Sequence, residues 1–203
     1  LEVNQHAFAG LQQLHQAKYL HRDIKPSNIL VLRNSERRVT GAKLIDAGLG
    51  SIARDGEHTA VLYQSPEQLA GAQTSAASDV FALGVVAYEL LTRTHPFALA
   101  SSRVDAEAVA HNIATVTPVT LSELNRYIPE NLAIIIHKTL SSDPVDRPSA
   151  EEVVRLLDSA SAYTKQWLAI SPEVAKAVEL YEGGKLEEAA TLLTALERKG
   201  WAF

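Results

Sequence analysis

Residues Ser78 to Thr92 carry Phe81, Leu83, Val85, Val86, Tyr88, Leu90 and Leu91, which puts apolar side chains on nearly every side of a helix. A helix that is hydrophobic all round must be surrounded by other elements, so the chain has to be built outward from this one. Its surroundings are mostly helical too. Ala7 to Gln16 places Phe8, Leu11 and Leu14 at helical spacing, and further helices are predicted at about Asp105 to Ala114, Asn131 to Leu140 and Ala150 to Ser159. His15, within the first of these helices, reads as a solvated surface residue. Two short apolar runs, Ile29 to Leu32 and Ala42 to Ile45, flank the polar turn Arg33-Asn34-Ser35-Glu36-Arg37-Arg38 and predict one small hairpin. The fold class is therefore mainly α, and 203 residues leave room for one ordinary domain and an appendage.

Charge and composition exclude several functions. A net charge of -5 provides no basic field for nucleic acid. Zero cysteines exclude disulfides and thiolate metal sites, which fits a reducing compartment such as the cytoplasm and equally fits any protein that simply lacks them. The apolar run Val80 to Leu91 contains Glu89 and is too short to span a bilayer, and no signal peptide opens the chain. The chain has no methionine, so it is expected to be a piece of something longer, or an engineered or processed product.

The chemistry gathers in Tyr19 to Leu32, where His21-Arg22-Asp23 is followed by Lys25 and Asn28. Taken locally, this is a basic turn between a helix and a strand, with Pro26-Ser27-Asn28 as ordinary turn chemistry. The fixed positions, however, fit H-R-D-x-x-x-x-N, and the stretch resembles the catalytic loop of protein kinases. The resemblance implies that Asp23 accepts the proton of a substrate hydroxyl and that Lys25 leans on the transferred phosphate. It gives Asn28 the role of lending a neutral amide oxygen to magnesium. Lys25, two residues after the base, resembles the Ser/Thr branch of the family.

Other motifs follow in the family's order. Asp46-Ala47-Gly48 stands where kinases have D-F-G, which keeps the metal carboxylate and the turn glycine but loses the aromatic. Leu49 to Gln64 is polar, with Asp55-Gly56 as a turn signal, and resembles the activation segment. Ser51 and Thr59 are its candidate phosphorylation sites, and Arg22 is the partner such a phosphate would meet. Ser65-Pro66-Glu67 is locally an N-cap, a first-turn proline and an acid facing the helix dipole. It also resembles the A-P-E motif, and Arg147 resembles the distal arginine that pairs with its glutamate. Asp79 is either a helix cap or, by resemblance, the aspartate that holds the backbone of the catalytic loop around His21. His95, in Thr94-His95-Pro96-Phe97, shows no partner that would imply catalysis or metal binding.

The resemblance implies a kinase-like large lobe of the α+β family over residues 1–160, using ATP and Mg2+, with Asn28 and Asp46 as metal ligands. Neither G-x-G-x-x-G nor V-A-I-K occurs, so a small lobe is expected upstream. Residues 161–203 form a helical extension: Tyr163 to Ile170 carries Trp167 and Leu168, and Pro172 opens a helical hairpin that resembles one tetratricopeptide repeat. The function these features imply is transfer of the ATP γ-phosphoryl group to a protein serine or threonine, with this fragment inactive by itself. The alternatives are a pseudokinase scaffold, favoured by Ala47, and an interaction module in which the C-terminal hairpin engages a protein partner.

Overall fold

A computed structural model describes residues 2–48, 60–98, 106–124, 128–159 and 172–198. The chain divides into two compact units, Leu1–Leu157 and Asp158–Phe203. Among the described residues the first unit is helical apart from one antiparallel pair of strands, so the mainly α class with a small β-hairpin holds.

Helix α1 (Glu2–Gln16) buries Ala7, Phe8 and Leu11 and begins five residues before the apolar rhythm does. Its first turn was hidden because the buried residue there is polar, Asn4. Strands β1 (Ile29–Arg33) and β2 (Val39–Leu44) pair from Ile29↔Leu44 to Leu32↔Gly41, with an irregularity after Leu32. The second strand therefore starts earlier than the apolar run Ala42 to Ile45 and ends before Ile45. Between the strands, Asn34 Oδ1 accepts from the amides of Glu36 and Arg38, a side chain closing a turn on its own backbone. Leu44 packs onto α1 beside Gly10.

After α2 (Pro66–Leu69) comes the central helix α3 (Ala76–Thr92), in which every residue from Ser78 to Tyr88 is buried. Ser75 caps it through the amide of Ser78, and Arg93 ends it in the left-handed region at φ 60°. Helices α4 (Ala106–Thr115), α5 (Leu121–Leu124), α6 (Glu130–Thr139) and α7 (residues 150–159) complete the shell. They send Ile113, Leu121, Ile136, Val153 and Leu157 into the shared core. At Gly84, α3 and α6 come so close that an added Cβ would overlap Thr139 Oγ1 and lie 2.8 Å from its Cβ. Tyr88, fully inside, directs its hydroxyl to the Val119 carbonyl at 2.9 Å, which meets the requirement of its one polar atom.

The second unit contains α8 (Pro172–Glu182) and α9 (Leu186–Arg198), joined at Gly183-Gly184-Lys185, where Gly184 takes φ +78°. Its two helices meet on small residues, Ala177 and Ala189, both buried. The stretch Tyr163 to Ile170 lies outside the described residues. Among the described residues no helix is long and apolar enough to cross a membrane.

Candidate active site

The loop after α1 contains a residue in an unfavourable conformation, Arg22 at φ +70°. Asp79 holds that backbone in place: its Oδ2 accepts from the His21 amide at 2.8 Å and its Oδ1 from the Arg22 amide at 2.9 Å. Asp79 is not the cap of α3, because Ser75 takes that role. His15 Nε2 lies 3.0 Å from the same Oδ2, with both side chains largely buried. The sequence-based placement of His15 in solvent is thereby corrected. The signal was available, since His15 stands seven residues after Phe8 and four after Leu11, on the stripe that α1 buries.

Within the loop the acidic and basic side chains converge on one oxygen. Asn28 donates its amide nitrogen to the Asp23 carbonyl at 2.7 Å and to Asp23 Oδ2 at 3.0 Å, and Lys25 Nζ lies 3.2 Å from that Oδ2. Asn28 and Lys25 are buried while Asp23 stays partly open, so the carboxylate is oriented from behind and presented in front. His21 is fully buried, and its Nδ1 accepts from the Asp23 amide at 3.4 Å, which places the ring proton on Nε2. That Nε2 is buried without a hydrogen-bond partner. Burial pushes the His21 pKa down, with Asp79 opposing, so the ring is held neutral.

Asp46 sits in a second left-handed turn at φ +59°. Two backbone bonds stitch this turn to the His21–Asn28 loop, Ile45 N to Asn28 O at 3.0 Å and Gly48 N to His21 O at 2.9 Å. The donor set fits magnesium: Asn28 has committed its amide nitrogen to Asp23 and keeps an oxygen to give, and Asp46 adds a carboxylate. Magnesium is held by one or two such oxygens plus phosphate oxygens and water, rather than by an all-protein cage. Ala47 is exposed.

Sequence reasoning missed Leu30 and Ile45. Strand alternation turns Leu30 away from Ile29, and Ile45 away from Leu44, so both lie on the face of the hairpin opposite the Ile29↔Leu44 pair. They are 49% and 38% exposed, near Asn28 and Asp46 in the chain, and Leu30 has Lys43 as its cross-strand partner. Period-2 counting from Asn28 would have revealed Leu30.

Ser51 and Thr59 lie outside the described residues. Arg22, their suggested partner, has its side chain exposed. Further on, Glu67 and Arg147 meet in a two-pronged ion pair, NH1 to Oε1 at 2.7 Å and NH2 to Oε2 at 2.8 Å. Arg147 also donates to the carbonyls of Ser141, Ser142 and Ala77, and its guanidinium lies 4.9 Å from the Phe81 ring centre. Ser78 Oγ donates to Glu67 at 2.8 Å. Burial alone would raise the Glu67 pKa, but the hydrogen bonds from Arg147 and Ser78 outweigh it and hold the group at about 2. Ser65 and Gln68 form a capping box at the start of α2. Asp23, Lys25, Asn28, Asp46 and Asp79 are thus joined through one loop system, while Glu67 and Arg147 tie α2 to the start of α3 and to Ser141 and Ser142.

A profile of the protein kinase domain matches residues 2–156. The chain is 32% identical over 203 residues to a calcium and calcium/calmodulin-dependent serine/threonine-protein kinase of Lilium longiflorum, which covers 98% of this chain and 38% of that protein. It is 35% identical over 149 residues to the serine/threonine-protein kinase drp72 of Corynebacterium efficiens, covering 72% and 27% of the two chains. The serine/threonine-protein kinase PknB of Mycolicibacterium smegmatis is 33% identical over 156 residues, covering 72% and 24%. The chain therefore belongs to the protein kinase domain family. It spans well under half the length of each of these relatives.

Proposed function

We propose that this chain is the large, C-terminal lobe of a serine/threonine protein kinase, covering residues 1–160. The observation that carries the proposal is the convergence of Lys25 and Asn28 on Asp23 Oδ2, within a loop stitched by backbone bonds to Asp46. In this reading ATP supplies the γ-phosphoryl group and magnesium offsets charge between its phosphates. Asp23 takes the proton of the incoming serine or threonine hydroxyl on Oδ1, the oxygen not engaged by Lys25 and Asn28. Lys25 moves between Asp23 and the transferred phosphoryl group. Asn28 and Asp46 hold Mg2+, and Leu30 with Ile45 offers an apolar face for the adenine ring. A phosphate on Ser51 or Thr59 would be met by Arg22. Asp79 and the Glu67–Arg147 pair keep this constellation in place. ATP as co-substrate points to the cytoplasm.

The lysine and the water-excluding loop that grip nucleotide phosphates belong to a small lobe. Residues 1–203 should therefore bind Mg-ATP weakly and transfer phosphate negligibly, whereas a protein joining a small lobe to them should phosphorylate serine or threonine. Radiolabel transfer from ATP measures both. If the extended protein transfers no phosphate while still binding a partner, the scaffold reading that Ala47 favours takes over.

The helical hairpin of α8 and α9 resembles one tetratricopeptide repeat and would serve a protein partner through exposed Tyr181 and Leu186. Although relatives are named as calmodulin-dependent, α8 and α9 together hold six Glu against two basic residues, Lys176 and Arg198, whereas calmodulin targets are basic amphipathic helices.

A further inference from the structure

Residues Ala60–Tyr63 form a single 3-10 turn leading into α2. Tyr63 and Gln64 line a small cavity of about 80 Å3, whose other walls include Asp23 and Arg22. The turn thus forms one wall of a cavity that Asp23 also lines. The turn is held from the side of α3 by two side chains. Tyr63 donates its hydroxyl to Glu89 Oε2 at 3.0 Å, and His95 donates Nε2–H to the Leu62 carbonyl at 2.9 Å.

His95 is unusually well fixed for a residue in a turn. It is 7% exposed, and its Nδ1 accepts from the Phe97 amide at 3.2 Å, which sets the neutral tautomer with the proton on Nε2. Burial holds its pKa below the ordinary imidazole value, in keeping with that neutral state. The ring meets Tyr63 edge-on at 6.0 Å. Phe97 is in turn anchored to α4, because Asn112 donates to its carbonyl at 2.8 Å. A chain of polar contacts therefore runs from α4 through Phe97 and His95 to Leu62.

We propose that His95 is a positioning residue for the protein substrate: by gripping the Leu62 carbonyl it sets the wall beside Asp23 against which the acceptor hydroxyl is presented. This rests on the phosphotransfer reading above. The nucleotide is to be held on the hairpin side, by Asn28, Asp46, Leu30 and Ile45, so loss of His95 should be felt by the acceptor and not by ATP.

Two measurements test it. In residues 1–203, hydrogen exchange reports the turn directly, because the Gln64 amide bonds to the Val61 carbonyl and the Phe97 amide to His95. His95→Phe, which removes both ring nitrogens, should speed exchange at these amides by about tenfold, the equilibrium equivalent of one lost hydrogen bond. His95→Gln keeps a donor for Leu62 and should restore protection at Gln64. In the protein carrying a small lobe, with casein as acceptor, His95→Phe should raise KM for casein by about tenfold with KM for ATP unchanged, and His95→Gln should recover most of the loss. Where His95→Phe fails to fold, His95→Ala takes its place. Unaltered exchange at Gln64, or an unaltered casein KM in an active protein, overturns the proposal. If no version transfers phosphate, the kinase reading falls, and faster Gln64 exchange in His95→Phe still supports the grip itself.

Discussion

Two ion pairs in this molecule use the same chemistry to opposite ends. Glu67–Arg147 is closed: the guanidinium is 0% exposed in its side chain, and its nitrogens donate to one carboxylate and three carbonyls. Asp23–Lys25 is open: it is one-pronged, its carboxylate is 26% exposed, and the same oxygen is shared with Asn28. A pair with every donor committed can only hold structure. A one-pronged pair whose carboxylate is partly exposed can rearrange when a substrate arrives. Stability should therefore reside in the first and reactivity in the second.

The sharpest way to break the contrast is Arg147→Ala. It leaves Glu67 partly buried without its cation and leaves three carbonyls without a donor, at a cost of about 3 to 5 kcal/mol. A thermal scan should show Tm falling by about 10 °C or more. A midpoint within a degree of the parent would mean that the pair braces nothing.

Acid probes the same joint without mutation. Glu67 is held at about 2, below the 4.5 of an unperturbed glutamate, so its contribution is fully present above pH 4.5 and is lost as pH falls toward 2. The shift corresponds to about 3 kcal/mol. Denaturant melts of the parent and Glu67→Gln should therefore converge as pH drops from 5 to 2. Parallel curves across that range would show that Glu67 titrates alike folded and unfolded.

How much of this was legible depended on how many residues each feature needed. The run Phe81 to Leu91, apolar but for Gly84 and Glu89, announced the central helix because burial on every side leaves a pattern in one segment. The H-R-D spacing was equally local. Glu67 and Arg147, by contrast, are 80 residues apart, and only the resemblance connected them. His95 could not be read at all, since it finds its partner, the Leu62 carbonyl, only when the turn after α3 docks, and for His15 the helical stripe marked burial but not the partner, Asp79. Boundaries slipped where polar side chains do a core residue's work, as Asn4 does in α1.

His15→Ala tests a support of intermediate kind. It deletes one hydrogen bond to a buried carboxylate, leaving Asp79 with the His21 and Arg22 amides. The cost should be about 2 kcal/mol, the usual worth of a hydrogen bond to a charged group. Exchange of the Arg22 amide should rise with it, because the left-handed backbone at Arg22 is held by that same carboxylate. A stability loss below about 0.5 kcal/mol would place the His15–Asp79 contact among the idle surface pairs.

Asp23→Asn should have the smallest effect on stability and the largest on turnover. The amide is the same size as the carboxylate, and its oxygen can still accept from Asn28 and Lys25, so the fold loses part of one partly exposed ion pair, worth about 1 kcal/mol or less. Chemistry is different, because an amide cannot take a proton from the attacking hydroxyl. Positioned general bases contribute about 100-fold to 10,000-fold, and a small-lobe-bearing protein should lose that much kcat while its affinity for Mg-ATP stays within about twofold. Affinity is retained because the nucleotide is assigned to Asn28, Asp46 and the exposed hairpin face, not to Asp23. Nucleotide titration by calorimetry beside single-turnover label transfer separates the two quantities. A variant that melts far below the parent would erase the distinction between the two ion pairs, making Asp23–Lys25 a second structural joint.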